Sequence, residues 1–190
     1  MDPIGPDDAL IVVDVQNDFC AGGALAVPHA ERIFDNINRL MPRFRHVLAT
    51  KDWHPANHSS FQAQGGPWPP HCIQATAGAE FHRALDASLI QTVIRKGSDV
   101  GAPGYSGFEA TDLADELRRT GVKRVFTCGL ATDYCVRATT LAAREHGFAA
   151  VAITDAMAAV DVNPGDGERA LEEMLAVGTE LTNTDEVAQG

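Results

Sequence analysis

The 190-residue sequence lacks an apolar run long enough to cross a membrane, since its clearest candidate, "ALIVVDV", is far too short. Basic residues are also scarce, because 15 Lys and Arg stand against 26 Asp and Glu and give a net charge of −11. This balance argues against a nucleic-acid-binding surface and against a polybasic membrane anchor. The segment "MDPIGPDDAL" is acidic where a secretory signal would be basic, so we expect a cytoplasmic location.

Only four cysteines are present, and in a reducing compartment such residues are more often buried, catalytic or metal-binding than bridged. The sequence also has no internal repeat, linker or low-complexity segment. We therefore expect one domain over residues 1–190, which is long enough to bury a sizeable core. A monomer and a homo-oligomer would suit this composition equally.

Apolar runs alternate with amphipathic stretches along the chain. The runs predict buried strands at residues 9–15, 46–53, 89–97, 123–130 and 149–156, with a sixth at 180–187. Helical spacing occurs at residues 29–44, 111–121, 133–147 and 167–178. Strands that alternate with helices predict an α/β fold with three α-β-α layers and a mainly parallel sheet of six strands.

The one long irregular stretch, about 54–80, is rich in Pro, Gly and His. A structureless insertion of this length in a compact domain is usually functional or disordered. Its clustered histidines and its tryptophan favour a functional role.

Reactive side chains follow three of the predicted strands. Asp14 follows the first strand, Lys96 ends the third, and Cys135 lies in the first turn of the helix predicted after the fourth. The carboxyl ends of parallel strands form the ligand-binding edge of an open α/β sheet, so we expect these groups to meet. Cys135 could act as a nucleophile favoured by a helix N-terminus, Asp14 could transfer protons, and Lys96 could keep Asp14 ionised.

Each of these residues also has a structural interpretation. Asp14 could cap a strand, Lys96 could be a solvated strand end, and Cys135 could be a small core residue. Their convergence on one sheet edge favours the catalytic interpretation.

A second group of candidate residues lies after the second strand, in "KDWHPANH" and "PPHC". Asp52 and His54 are two residues apart and would share one side of an extended segment, and His71 could fold back towards them. A carboxylate and two imidazoles suit zinc, iron or manganese, with coordination positions left for water or substrate. His58 is a candidate fourth ligand.

Five segments carry a resemblance to a known family: "VVDVQNDF", "DWHPANHSSF", "WPPHCIQATAGAEF", "RKGSD…YSGF" and "GLATDYCV". Together and in this order they resemble nicotinamidases (pyrazinamidases) of the isochorismatase-like cysteine hydrolase superfamily. The resemblance implies a six-stranded parallel sheet in Rossmann-like order without a dinucleotide site. It also implies hydrolysis of nicotinamide, and of pyrazinamide, through a cysteine thioester. The sequence departs from the family at Ala75, where glycine is usual.

The resemblance also implies roles for individual residues. The catalytic triad would be Asp14, Lys96 and Cys135, with the Ala131 and Cys135 amides as oxyanion hole and a cis peptide bond between Leu130 and Ala131. Asp52, His54 and His71 would bind one divalent metal ion, foremost zinc, that holds the pyridine nitrogen. The substrate-binding residues would be Phe19, Trp68, Tyr105 and Leu130.

Two other functions are compatible with parts of this pattern. A related amidase would act on another small amide, although such relatives generally lack the Asp-x-His…His set. A non-catalytic module would use Asp52, His54 and His71 as a structural zinc site. Structural zinc normally has four closed ligands, and this alternative leaves Asp14 and Lys96 without a role.

Overall fold

The computed structural model describes residues 2–189, so the first and last residues of the predicted domain lie outside the described residues. Its sheet has six strands, all paired in parallel, in the order β3-β2-β1-β4-β5-β6. The strands are β1 Asp8–Val13, β2 His46–Asp52, β3 Thr92–Lys96, β4 Arg124–Leu130, β5 Ala149–Ala158 and β6 Glu180–Thr182. This is the Rossmann order, and it confirms the predicted α/β fold.

Within residues 2–189, five α-helices connect and flank the strands. They are α1 Phe34–Leu40, α2 Leu113–Arg119, α3 Arg137–Glu145, α4 Asp166–Ala176 and α5 Thr184–Gln189. Across residues 2–189, no helix is both long enough and apolar enough to cross a membrane.

The helices cover both faces of the sheet. Alternate residues of β1 point to opposite faces, so that Leu10 and Val12 join one core while Ile11 joins the other. The first core includes residues of α1 and α5, and the second includes residues of α2, α3 and α4. The buried strands therefore read as continuous apolar runs because both faces are packed.

The predicted sixth strand at 180–187 is wrong in its second half. β6 ends at Thr182, and α5 begins at Thr184. The Asn183 side-chain oxygen accepts a hydrogen bond from the Glu186 amide at 3.0 Å, which is the pattern of a helix N-cap. This cap and the bonds from Thr184 to the Asp155 carboxylate at 2.8 and 2.9 Å turn the chain out of the sheet.

Two predicted helices also differ from the observed ones. The stretch 29–44 is α-helical only in α1, with single 3-10 turns at Ala30–Ile33 and Met41–Arg43 on either side. The stretch 133–147 begins with a π-helical turn, Thr132–Val136, before α3. Single π-turns often occur at functional sites, and this one contains Cys135.

The long insertion at 54–80 is ordered by local pairing and by two short 3-10 turns, Gln62–Gln64 and Ala77–Ala79. His54 pairs with Ile73, and Phe61 pairs with Trp68, in isolated parallel bridges. Ala75 has a φ of +61°, in the left-handed region that favours glycine. Ala75 is a position at which the sequence departs from the family pattern, in which glycine is usual.

Gly129 brings the ends of β1 and β4 into close contact. It has a φ of +111°, and a Cβ atom at this position would lie 2.1 Å from the Val13 carbonyl oxygen. Val13 immediately precedes Asp14, and Gly129 precedes the cis peptide bond between Leu130 and Ala131. The contact therefore sets the spacing between the strand ends that carry Asp14 and Cys135.

We expect Gly129→Ala to lower the free energy of unfolding by about 3 kcal/mol, because backbone strain and overpacking act together. Gly121→Ala is the matched control, since Gly121 has a φ of +78° but nothing lies within 4 Å of an added Cβ. The control should lose only about 1 kcal/mol from backbone strain. Urea unfolding of both variants measures the difference, and equal losses would contradict the steric argument.

Candidate active site

The three reactive groups predicted from separate strands lie side by side at the carboxyl edge of the sheet. Lys96 ends β3, and its Nζ lies 2.7 Å from Asp14 Oδ2 and 3.3 Å from Cys135 Sγ. The same ammonium donates a hydrogen bond to the Gly104 carbonyl oxygen at 2.9 Å. The parallel order of the strands thus places a carboxylate, an amine and a thiol within contact of one another.

Asp14 is completely buried and is held by β2. Thr50 Oγ1 donates to Asp14 Oδ1 at 2.6 Å. Burial raises the pKa of the Asp14 carboxyl, against the opposing charge of Lys96. Asp14 Oδ2, the oxygen that Thr50 does not engage, pairs with the Lys96 ammonium group at 2.7 Å.

Lys96 is buried and is paired with two carboxylates. Besides Asp14 it contacts Asp52, with a hydrogen bond from Nζ to Oδ1. Burial alone would lower the pKa of Lys96, but the charges of Asp14 and Asp52 raise it well above the ordinary value. Lys96 is therefore an ammonium ion, which compensates the two buried carboxylates.

Cys135 is only 6% exposed and lies in the π-helical turn between β4 and α3. Burial raises the pKa of its thiol well above the ordinary value, with the Lys96 charge opposing. The resting group is therefore the thiol, and its activation requires a base. Burial of the thiol therefore outweighs the predicted stabilisation of the thiolate by the helix N-terminus.

The other cysteines are also free and buried. Burial raises the pKa of Cys72 and Cys128, and burial together with Glu31 raises the pKa of Cys20 to about 11. Cys128 lies within β4 and is fully buried in the core. Cys135, in contrast, contacts the Lys96 ammonium group.

Asp52, His54 and His71 form the second cluster, next to the first. Ligand atoms of all three lie within 4.8 Å of one another. Asp52 Oδ2 is 3.3 Å from His54 Nε2 and 3.9 Å from His71 Nε2. Burial favours the neutral acid, but the Lys96 charge and the His54 hydrogen bond hold the pKa of Asp52 below its ordinary value.

The arrangement of these side chains fits a metal ion. Each imidazole points Nε2 at Asp52, while its Nδ1 is hydrogen-bonded to a backbone carbonyl, from His54 to Gly97 at 2.9 Å and from His71 to Pro69 at 2.8 Å. Such bonds set the ring orientation of metal-binding histidines. Burial lowers the pKa of His71, which favours the neutral ligand form.

His58, the candidate fourth ligand, does not join this cluster. Its Nδ1 is hydrogen-bonded to Ser60 Oγ at 2.7 Å, and its Nε2 to the Ala102 carbonyl oxygen at 2.9 Å. Its ring instead packs on His54, with 4.1 Å between ring centroids. His58 therefore supports a ligand by packing, since both ring nitrogens are already engaged.

A small, mainly apolar cavity connects the two clusters. Cys135, Ala131, Asp52 and His71 lie in its wall. Three of the predicted substrate-binding residues also line it, namely Phe19, Trp68 and Tyr105. Trp68 Nε1 donates to the Tyr105 hydroxyl at 3.0 Å, which links two walls of the cavity.

Leu130, the fourth predicted substrate-binding residue, is 1% exposed and packs in the core. The neighbouring Ala131, rather than Leu130, lines the cavity. The Ala131 carbonyl oxygen accepts hydrogen bonds from the Tyr134 amide at 3.1 Å and the Val136 amide at 3.0 Å. These bonds hold Ala131 against the turn that carries Cys135.

Sequence reasoning missed four residues of the cavity wall. They are Leu25, Val27, Tyr134 and Val160. Tyr134 could have been predicted, because it is the residue next to Cys135 in "GLATDYCV". Val160 comes from the loop after β5, where the Asp133 carboxylate accepts its amide hydrogen at 2.9 Å, and no sequence pattern indicated that contact.

Comparison with known proteins agrees with this geometry. The isochorismatase domain family matches residues 8–186. The nicotinamidase of Escherichia coli (strain K12) is 40% identical over 201 residues, covering 93% of this chain and 94% of that protein.

Two solved structures have the same fold. The pyrazinamidase of Pyrococcus horikoshii, in complex with zinc, is 48% identical with a TM-score of 0.87, covering 94% of this chain and 99% of that one. PnC1 from L. infantum, in complex with nicotinate, is 41% identical with a TM-score of 0.91, covering 96% of each chain. The chain therefore belongs to the isochorismatase family and, within it, to the nicotinamidase and pyrazinamidase group of amide hydrolases.

Proposed function

We propose that this protein hydrolyses nicotinamide to nicotinate and ammonia, and pyrazinamide in the same way. One observation carries the proposal. Lys96 contacts a thiol and a carboxylate and also Asp52, which belongs to the Asp-His-His cluster, so the two groups of residues meet at one cavity. A pyridine carboxamide has a ring nitrogen and a carbonyl carbon, which suit a metal ligand set and a nucleophile, respectively. The nicotinamidase and pyrazinamidase relatives support the same substrate class.

Asp52, His54 and His71 would hold one divalent cation, for which zinc is the first candidate because the P. horikoshii relative was solved with it. When bound, such a cation supplies a coordination position for the pyridine nitrogen of the substrate, which orients the ring. Phe19, Trp68 and Tyr105 would enclose that ring, since these aromatic side chains line the cavity.

The first half-reaction forms a thioester. Asp14 takes the proton of the Cys135 thiol, and the sulfur attacks the carboxamide carbon. The Ala131 and Cys135 amides would donate hydrogen bonds to the resulting oxyanion, a contribution of about 3–4 kcal/mol for such donors. Asp14 then gives its proton to the leaving nitrogen, the C–N bond breaks, and ammonia departs.

The second half-reaction releases the acid. Asp14, again a carboxylate, takes a proton from a water molecule that attacks the thioester carbon. The C–S bond breaks, the sulfur regains a proton, and nicotinate leaves. Lys96 stays protonated throughout, because it is buried between Asp14 and Asp52 and balances their charges.

We also propose that residues 1–190 act as one domain, since the family match extends over 8–186. A cytoplasmic location is consistent with the four free cysteines, as reducing compartments keep thiols unpaired.

The test is ammonia release from nicotinamide before and after chelation of the purified protein. We expect activity to fall on chelation and to return with zinc, manganese or iron. Benzamide, which lacks the ring nitrogen, is the matched substrate and should be hydrolysed much more slowly by the metal-loaded enzyme.

Other outcomes would contradict specific parts of the proposal. Release that survives thorough chelation would remove the cation from substrate binding but keep the thiol mechanism. Equal rates on benzamide and nicotinamide would show that the pyridine nitrogen is not recognised. No release from the zinc-loaded protein would favour a related amidase with another small amide as its substrate.

A further inference from the structure

The side chain of Gln16 clamps the backbone of Asp52. Its Oε1 accepts the Asp52 amide hydrogen at 2.8 Å, and its Nε2 donates to the Asp52 carbonyl oxygen at 2.9 Å. A second bond from Nε2 reaches the Ala79 carbonyl oxygen at 2.9 Å, and Gln16 is completely buried. The Gln16 amide thus uses both of its donor hydrogens and its acceptor oxygen. Two of the three hydrogen bonds are made with Asp52, a residue of the metal cluster.

Asp18, two residues further on, supports the other side of the cluster. Its Oδ2 accepts the amide hydrogen of Cys72 at 2.7 Å. The carbonyl oxygen of Cys72 in turn accepts the amide hydrogen of His54 at 3.0 Å. Cys72 immediately follows His71 and has a φ of +45°, a conformation unusual for a residue other than glycine.

We propose that Gln16 and Asp18 are positioning residues for the divalent metal ion. Neither has a side-chain atom in the Asp52, His54 and His71 cluster, so each acts through the backbone of another residue. Gln16 holds the backbone of Asp52. Asp18 holds the peptide group that follows His71, in the segment that is hydrogen-bonded to the His54 amide. The inference rests on the metal site in the proposed function.

The orientation of Asp52 needs this support because its carboxylate contacts two groups of residues at once. Its Oδ1 bonds to Lys96, while its Oδ2 faces both imidazoles, so the carboxylate serves two sites at once. A rotation of the Asp52 backbone would move both oxygens and would uncouple the ammonium from the ligand set. Two hydrogen bonds from the buried Gln16 amide, which a third bond anchors to Ala79, oppose that rotation and favour ligand geometry before a cation arrives.

The decisive variant is Gln16→Met, which keeps the length of the side chain but removes its donors and acceptor. We expect the apparent Kd for zinc to rise about ten- to hundredfold, as is typical when a supporting hydrogen bond is lost. The affinity is measured on the apoprotein by competition with a chelating dye and requires no turnover. At saturating zinc, activity on nicotinamide should recover most of its loss.

Gln91→Met is the matched control, because Gln91 clamps the same strand at its opposite end. Its Oε1 accepts from the Val47 amide at 3.1 Å, and its Nε2 donates to the Arg45 carbonyl oxygen at 3.0 Å. This variant should keep the zinc affinity of the parent. Equal zinc affinities in Gln16→Met and the parent would overturn the role of Gln16.

Asp18 provides a second test that does not depend on Gln16→Met being folded. Asp18→Ala should weaken zinc binding about tenfold, and Asp18→Asn should restore most of the affinity because it keeps an acceptor oxygen. Unchanged zinc affinity in Asp18→Ala would overturn the role of Asp18. A parent protein that binds zinc but releases no ammonia would instead contradict the proposed function, which separates the two failures.

Discussion

Cys135→Ala is expected to abolish ammonia release from nicotinamide, with a fall in kcat of about five to six orders of magnitude, as for other covalent nucleophiles. The reason is that the thioester cannot form, and no other thiol borders the described cavity. Zinc content and nicotinate binding should persist, because Asp52, His54 and His71 do not depend on the sulfur. Steady-state assays, with calorimetry for nicotinate, measure both effects.

Cys128→Ala is the matched control for this experiment. Cys128 is fully buried in β4, and its Sγ lies 3.8 Å from the Ile11 carbonyl oxygen. Its loss should reduce stability by about 1 kcal/mol and leave kcat unchanged. Substantial turnover by Cys135→Ala would place the nucleophile elsewhere, whereas inactivity of both variants would point to a folding defect.

Asp14→Asn is expected to lower kcat by about 10²- to 10⁴-fold, the usual contribution of one proton-transfer residue. The amide keeps the size of the side chain, and its carbonyl oxygen can still accept the hydrogen bond from Thr50 that Asp14 receives at 2.6 Å. It cannot take the thiol proton, and burial keeps that thiol protonated by raising the pKa of Cys135. Both half-reactions should therefore slow, which rapid-quench measurements of ammonia and nicotinate would resolve.

The control is Asp8→Asn, at the opposite end of the same strand. Asp8 is a buried carboxylate paired with Arg124, with Oδ2 2.6 Å from Nη2. This variant removes a buried charge without touching the cavity, so it should reduce stability but not kcat. If Asp8→Asn slowed turnover as much as Asp14→Asn, the effect would be electrostatic or structural rather than proton transfer.

The alternation of apolar runs and amphipathic stretches was enough to predict the layers of the fold. In a parallel sheet both faces are buried, so each strand appears as an apolar run whose end can be read approximately. For the same reason the positions of Asp14, Lys96 and Cys135 could be predicted, since each lies at or shortly after the end of such a run. The prediction of a strand over residues 180–187 was wrong in its second half, because the helix cap at Asn183 competes with strand formation.

Other features depend on residues that are distant in sequence. Asp52 and Lys96 lie opposite each other in neighbouring strands, and this register brings the Asp14, Lys96 and Cys135 group against the Asp52, His54 and His71 group. Val160 reaches the cavity through Asp133, and Gln16 reaches Asp52 across 36 positions of the chain. Side-chain directions and backbone bonds of this kind carry no periodic signal.

The sequence by itself thus determined which chemical groups this protein has and the sheet edge at which they gather, because strand periodicity and residue type are local properties. The tertiary structure alone decided that Asp52 contacts both Lys96 and the two imidazoles, that His58 packs on the His54 ring, and that Cys135 is buried beside Lys96. Those outcomes depend on burial and on distances between separate strands, which are settled only when the chain is packed.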